Sequence, residues 1–176
     1  METAPLRELI AHIVAKHHEY LKLELPRVGK RIAEVVETHG ANDLETLHNL
    51  QSVYEDLWQE LDLHMHKEEL MLFPAIERYA AAAEAGAPLP PVPFGSIANP
   101  IAVMQREHGG AGDALRRIRE LTGDFQAPAG ASAAYGSMLD GLKALESDLH
   151  VHIHLEDDIL FPRAIALENG RQGAGR

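Results

Sequence analysis

Two short stretches carry the residues best suited to chemistry. HMHKEELMLFP runs from His64 to Pro74, and HIHLEDDILFP runs from His152 to Pro162. Both follow the frame H-x-H-x-E-x-x-x-L-F-P, with a further acidic residue after the glutamate each time. The copies stand 88 residues apart. A histidine and a glutamate four positions apart share one face of a helix, so His64 with Glu68 and His152 with Glu156 can each close on a cation. Imidazole nitrogen mixed with carboxylate oxygen suits hard or borderline transition metals, iron above all.

The surrounding pattern places these residues. His64 and Glu68 continue an apolar stripe through Leu50, Tyr54, Leu57 and Leu61, and His152 and Glu156 continue one through Leu142, Leu145 and Leu149. Two more stripes carry one histidine each, His18 among Val14, Leu21 and Leu25, and His108 among Ile101, Met104 and Ala111. Steps of three and four put each list on one helical face. Burying four imidazoles and two carboxylates without partners would cost several kcal/mol for each unpaired charge. Cations bridged by the carboxylates would remove that cost.

The other histidines separate by phase. His66 and His154 lie about 200° round the helix from the ligand positions. His150 and His154 form an i,i+4 pair, but their face continues through Glu146, Ser147 and Asp157 and reads as solvent. His39, 21 residues after His18, is about 31 Å away along one helix and reads as a helix-end residue beside Gly40. His12 and His48 lie outside the pattern. His17 neighbours the face through Ile10 and Ile13: it is either a donor behind the site or the ligand in place of His18, and phase favours His18.

Four helical segments position the site, at about 5–38, 44–80, 100–121 and 132–165, and none alternates with period two. HGAND at 39–43 breaks the first from the second, with Asn42 or Asp43 as a cap. The proline-rich linker 84–100 must be extended, and TGDFQAPAGAS at 122–132 is a further loop. The tail 168–176 is expected to fray. One all-α domain over 1–176 results, an antiparallel up-down four-helix bundle of two hairpins related by a pseudo-two-fold. Because Leu-Phe-Pro ends each repeat inside a long helix, a kink or a tighter turn is expected at Pro74 and Pro162.

Composition narrows the function. The chain has 176 residues, net charge −11, 11 histidines and no cysteine. Disulfides, thiolate metal sites and a cysteine nucleophile are excluded. The 16 Lys and Arg are scattered, which argues against nucleic acid or an anionic membrane as partner. No apolar run reaches transmembrane length and the N-terminus has no signal-peptide pattern, so the cytoplasm is the expected compartment. Glu45–His48 is a lone E-x-x-H, where ferritin-like di-iron proteins need two, and H-E-x-x-H, P-loop and dinucleotide fingerprints are absent.

Two H-x-x-x-E motifs with single histidines on the remaining helices resemble the hemerythrin-like (HHE cation-binding) fold. The strings HHEYLKLELP, HMHKEE, PFGSIANPI and DLHVHIHLEDDILFPRA resemble the RIC proteins, di-iron proteins that repair iron–sulfur centres after nitric oxide or peroxide damage. The likeness covers about residues 5–165. It implies two iron ions with an oxo or hydroxo bridge, His18, His64, His108 and His152 as terminal ligands, and Glu68 and Glu156 as bridges, leaving about one open position per octahedral iron. It further implies nitric oxide or oxygen species as small ligands and damaged iron–sulfur proteins as partners. A stand-alone oxygen or nitric oxide sensor or carrier without repair activity is the alternative. Many RIC proteins carry an N-terminal domain with a cysteine pair, whereas this chain begins directly with the bundle. Oxygen-carrying hemerythrins place two histidines one turn apart on the third helix. Here Met104 and Gly112 flank His108 at those spacings, which predicts a more open site that holds iron less firmly. No general acid or base stands out among the residues.

Overall fold

The computed structural model describes residues 3–173, apart from the side chains of 39–43 and 171–173. Among the described residues all regular structure is helical. Helices α1 (Leu6–Ile13) and α2 (Glu19–Lys67) flank a π-helical turn at Val14–His18. A second π turn at Glu68–Leu72 leads into α3 (Phe73–Glu84). Helix α4 spans Ala98–Leu121, and α5 (Ala133–His154) passes through a third π turn at Leu155–Leu160 into α6 (Phe161–Gly173).

Helix α2 is one element of 49 residues where the sequence suggests two separated at 39–43. Straight, it would reach about 74 Å. Instead its arms lie side by side: the Tyr54 hydroxyl donates to the Leu25 carbonyl at 2.8 Å, and a Cβ on Gly29 would come within 3.2 Å of the Trp58 ring. The chain therefore reverses between Val35 and Leu47, whose apolar neighbours pack into one cluster. HGAND contains no proline, so each residue there keeps the amide donor that helical hydrogen bonding needs. The capping assigned to Asn42 or Asp43 and the place of His39 fall outside the described side chains. The four arms of the bundle are thus α1 with the first part of α2, the rest of α2 with α3, α4, and α5 with α6.

Two apolar clusters fill this bundle. One holds Leu21, Leu25, Leu57, Leu61, Leu115 and Leu149 among others; the second holds Ile13, Leu72, Ile101, Met104, Leu155 and Phe161. On every arm the ligand positions fall between residues of the two, so a polar layer crosses the bundle between two dry ones. The sequence pattern of polar residues interrupting an aliphatic stripe is that layer seen one helix at a time.

The turns at the prolines widen instead of tightening. The Phe73 amide donates to the Glu68 carbonyl and the Phe161 amide to the Glu156 carbonyl, both five residues back. Pro74 and Pro162 have no N–H, and in a regular α-helix their rings would strike the carbonyls of Leu70 and Asp158. A π turn just before the proline moves that carbonyl aside while keeping the chain helical. The turn at Val14–His18, closed by Glu19 on the Val14 carbonyl, needs no proline.

The linker after α3 is largely non-helical, as its prolines require, and Val92 and Phe94 pack on the second cluster. Beyond it, Glu168 ties down the start of α4. It is 3% exposed and accepts from the Ser96 hydroxyl (2.6 Å), the Tyr79 hydroxyl (3.2 Å) and the Ile97 amide (3.3 Å). Helix α6 runs to Gly173, into the tail 168–176 expected to fray, whose last residues, 174–176, lie outside the described residues. No helix of the described residues is long and apolar enough to cross a membrane. Replacing Glu168 by alanine would leave three donors without their acceptor; we expect a loss of about 1–3 kcal/mol, read as a lower urea midpoint, with Ser96→Ala costing less.

Candidate metal centre

All six residues singled out by spacing meet in the polar layer. They form two groups, His18, Glu68, His152 and Glu156, and His64, Glu68, His108 and Glu156, each with its nitrogen and oxygen atoms within 4.8 Å of one another. Both carboxylates belong to both groups. Glu156 reaches His152 Nε2 with Oε1 (2.9 Å) and His108 Nε2 with Oε2 (3.1 Å). Glu68 Oε2 lies 3.4 Å from the Nε2 atoms of both His18 and His64. Facing nitrogens complete the pairs: His18 and His152 at 3.2 Å, His64 and His108 at 3.1 Å.

Three of these residues sit in the π turns, His18, Glu68 and Glu156. The extra residue in each turn rotates the following helix, so that the ligand faces the layer while the leucines and phenylalanines after it still meet the second cluster. Both glutamates are 0% exposed. Neither Glu68 oxygen, nor Oε2 of Glu156, makes a hydrogen bond. Buried carboxylate oxygens without donors are costly, and Nε2 atoms aimed at one another suit a common acceptor of lone pairs. On that chemistry the residues fit a bound cation on each side of the two carboxylates.

Further acids stand behind the histidines. His18 Nδ1 donates to Glu69 (2.8 Å) and His64 Nδ1 to Glu107 (2.9 Å), while His108 Nδ1 lies 3.1 Å from Asp157. Lys22 pairs with Glu69 and Lys67 with Glu107. Such carboxylates fix the ring tautomer and raise the basicity of the inward nitrogen. Spacing alone did not reveal this role, although its trace was present: the second acid of each repeat, Glu69 or Asp157, serves a histidine of another arm. The face expected to be solvent is also revised. Glu146 is 5% exposed and accepts from Arg119 at 2.6 and 2.7 Å, because α4 covers that side of α5; Asp157 is half-buried for the same reason. His66, His150, His154 and His48 are exposed and His12 is half-exposed, all outside the cluster.

His18, not His17, joins the cluster. His17 is buried beside it, with Nδ1 donating to Asp148 Oδ1 at 2.9 Å and its ring stacked on His152 at 5.6 Å, 6° from parallel. Burial outweighs Asp148 and lowers the His17 pKa, and burial likewise raises that of Asp148.

The layer is strongly polarised. Burial alone would pull His18 down, but Glu156 and Glu68 together push it up to about 10. Burial likewise opposes protonation of His64, and Glu68 with Glu156 overcomes it, to about 9. Burial would raise Glu156, yet His152, His108 and His18 hold it well below the ordinary carboxylate range. Two predictions follow for pH. Without a cation, His18 and His64 contribute stability that is full below about 6.5 and is lost as pH rises through 9 to 10. Glu156 contributes above its ordinary value of 4.5, and that part is lost in acid. The cation-free protein should therefore melt at falling temperature from pH 7 to pH 10. A cation needs neutral imidazole, so loading near pH 7 should release a proton from each of His18 and His64 and bind more tightly at higher pH. Acidification of a weak buffer during titration with a divalent metal checks this, and absence of proton release would contradict it.

Comparison with known proteins agrees with this geometry. The family described as the hemerythrin HHE cation binding domain matches residues 9–164. The iron-sulfur cluster repair protein YtfE of Citrobacter koseri is 34% identical over 94% of this chain and 69% of its own length. The YtfE of Edwardsiella ictaluri is 36% identical over 92% of this chain and 67% of its own, and that of Escherichia coli O81 is 34% identical over 94% and 69%. A match that spans all four arms and every residue of the polar layer places this chain in the hemerythrin HHE cation-binding family.

Proposed function

We propose that the chain is a non-haem di-iron protein that serves the repair of stress-damaged iron–sulfur clusters. His18 and His152 would hold one iron and His64 and His108 the other, with Glu68 and Glu156 shared between the two. The observation that carries this reading is the sharing of two buried carboxylates, three of whose four oxygens have no hydrogen bond, between two histidine pairs. The likeness to proteins named for iron–sulfur cluster repair supplies the cellular task.

When bound, the irons supply redox chemistry and open positions for small ligands such as nitric oxide or oxygen species. The chain's own residues do the rest. Glu69, Glu107 and Asp157 orient the imidazoles and favour, once the ring is neutral, the tautomer whose inward nitrogen has its lone pair free. The apolar clusters on either side exclude water and hold the local dielectric low. The cost of assembling six polar groups in that setting makes the site dependent on its cations, and a site with four imidazoles in place of five can release iron to an acceptor protein.

Metal analysis of protein from iron-replete cells tests the reading. Two irons per chain with near-ultraviolet bands of a bridged ferric pair are expected, both lost in Glu68→Ala. Mixed with an apo iron–sulfur protein, the loaded chain should restore its cluster. Reversible oxygen binding with the iron retained, and no transfer, would favour a sensor or carrier instead. A colourless protein with one metal or none per chain would refute the di-iron centre.

A further inference from the structure

The two halves of the polar layer are not alike. His64 and His18 each donate from Nδ1 to an outer carboxylate, Glu107 and Glu69, and His108 Nδ1 has the Asp157 carboxylate at 3.1 Å, in ion-pair contact but outside hydrogen-bond geometry. His152 has no partner on Nδ1, although that atom is buried. The carboxylate in position to serve it is Asp148, one turn earlier on the same face of α5. Asp148 is engaged elsewhere: Oδ1 accepts a hydrogen bond from His17 Nδ1, while Oδ2 is buried and unpartnered. His17 meanwhile lies flat against the His152 ring. An unpaired donor and an unpaired acceptor thus stand a turn apart, with the acceptor's other oxygen held by His17.

We infer that His17 withholds Asp148 from His152, making His152 the weakest of the four imidazole ligands and the cation between His18 and His152 the first to leave. The inference rests on the two-cation reading above and adds to it a direction of release. An outer carboxylate is worth about 10–100-fold in metal affinity, so the unsupported half should lose its cation roughly that much faster. His17 and Asp148 act as positioning residues: neither touches the cation, and their effect passes through the orientation and basicity of one ring. For a protein that gives up iron, such asymmetry allows one metal to depart while the other, with both carboxylates, holds the bundle together.

Release kinetics test this without any measure of repair activity. Protein loaded anaerobically with ferrous iron is mixed with a colour-forming ferrous chelator, and total iron is determined first. Two phases of equal amplitude, about tenfold or more apart, are expected. In His17→Leu, Asp148 is free to accept from His152 Nδ1, so the fast phase should slow toward the other. In the double variant His17→Leu, Asp148→Asn that slowing should vanish, and in Glu107→Gln the slow phase alone should quicken. A single phase in the native protein overturns the inference, as does slowing by His17→Leu that persists with Asn at 148. Fewer than two irons at the outset would refute the two-cation reading itself, an outcome distinct from two irons leaving at one rate.

Discussion

The structure depends on two carboxylates placed where a protein interior least accepts them. Glu68 and Glu156 are fully buried and bear on the same four imidazoles. Nothing in the apolar clusters above and below can compensate their charge, so the histidines and the cations they suit must do so. Each arm contributes at least one residue to that layer. The registers of α1–α2, α2–α3, α4 and α5–α6 are fixed against one another by the same contacts, and a shift of one helix by a turn would strand a buried charge. Polar interactions here specify alignment, while the aliphatic clusters supply most of the favourable burial.

The π turns reconcile those two demands. A regular helix that aimed Glu68 into the layer would not also keep Leu72, Phe73 and Ile76 in the second cluster past a proline ring. One extra residue per turn resets the phase, and the proline that forbids the ordinary hydrogen bond makes the wider one the better choice locally. The Leu-Phe-Pro that closes both repeats in this sense belongs to the candidate site, and its phenylalanines stack on two of the imidazoles, Phe73 on His18 at 5.7 Å and Phe161 on His108 at 6.1 Å between ring centroids. The turn at Val14–His18 achieves the same rotation without proline, so there the tertiary contacts of His18 must maintain it.

Around this layer lies a ring of acids that belongs to the tertiary structure. Glu69 follows a bridging glutamate in sequence but serves His18, 51 residues away. Glu107 precedes His108 but serves His64, 43 residues back. Each outer carboxylate thereby ties two arms together as well as tuning a ring, and Lys22 and Lys67 extend the ties to the surface. The likeness to YtfE proteins extends over 92–94% of the chain, so the whole bundle, and not the repeated motif alone, is what this chain has in common with them.

Much of the site was legible in the sequence because it rests on periodicity. A helix has 3.6 residues per turn, so His64 with Glu68, and His152 with Glu156, had to share a face, and their continuation of aliphatic stripes marked that face as buried. The same reasoning brought in His18 and His108. Local sequence could not say which histidine would face which, because that depends on how four arms pack; only the fold pairs His18 with His152 and His64 with His108. Nor could it separate His17 from His18 beyond a preference in phase, since a π turn at that very place alters the phase. The reversal within α2 was legible in position but not in form, and the hold of Glu168 on Ser96 and Ile97 was hidden because its partners lie 71 and 72 residues away. Residue type and spacing determined what the helices carry inward. Long-range packing decided what each inward group meets, because a carboxylate's partner is chosen by distance in space, and the chain fixes that distance only once it is folded.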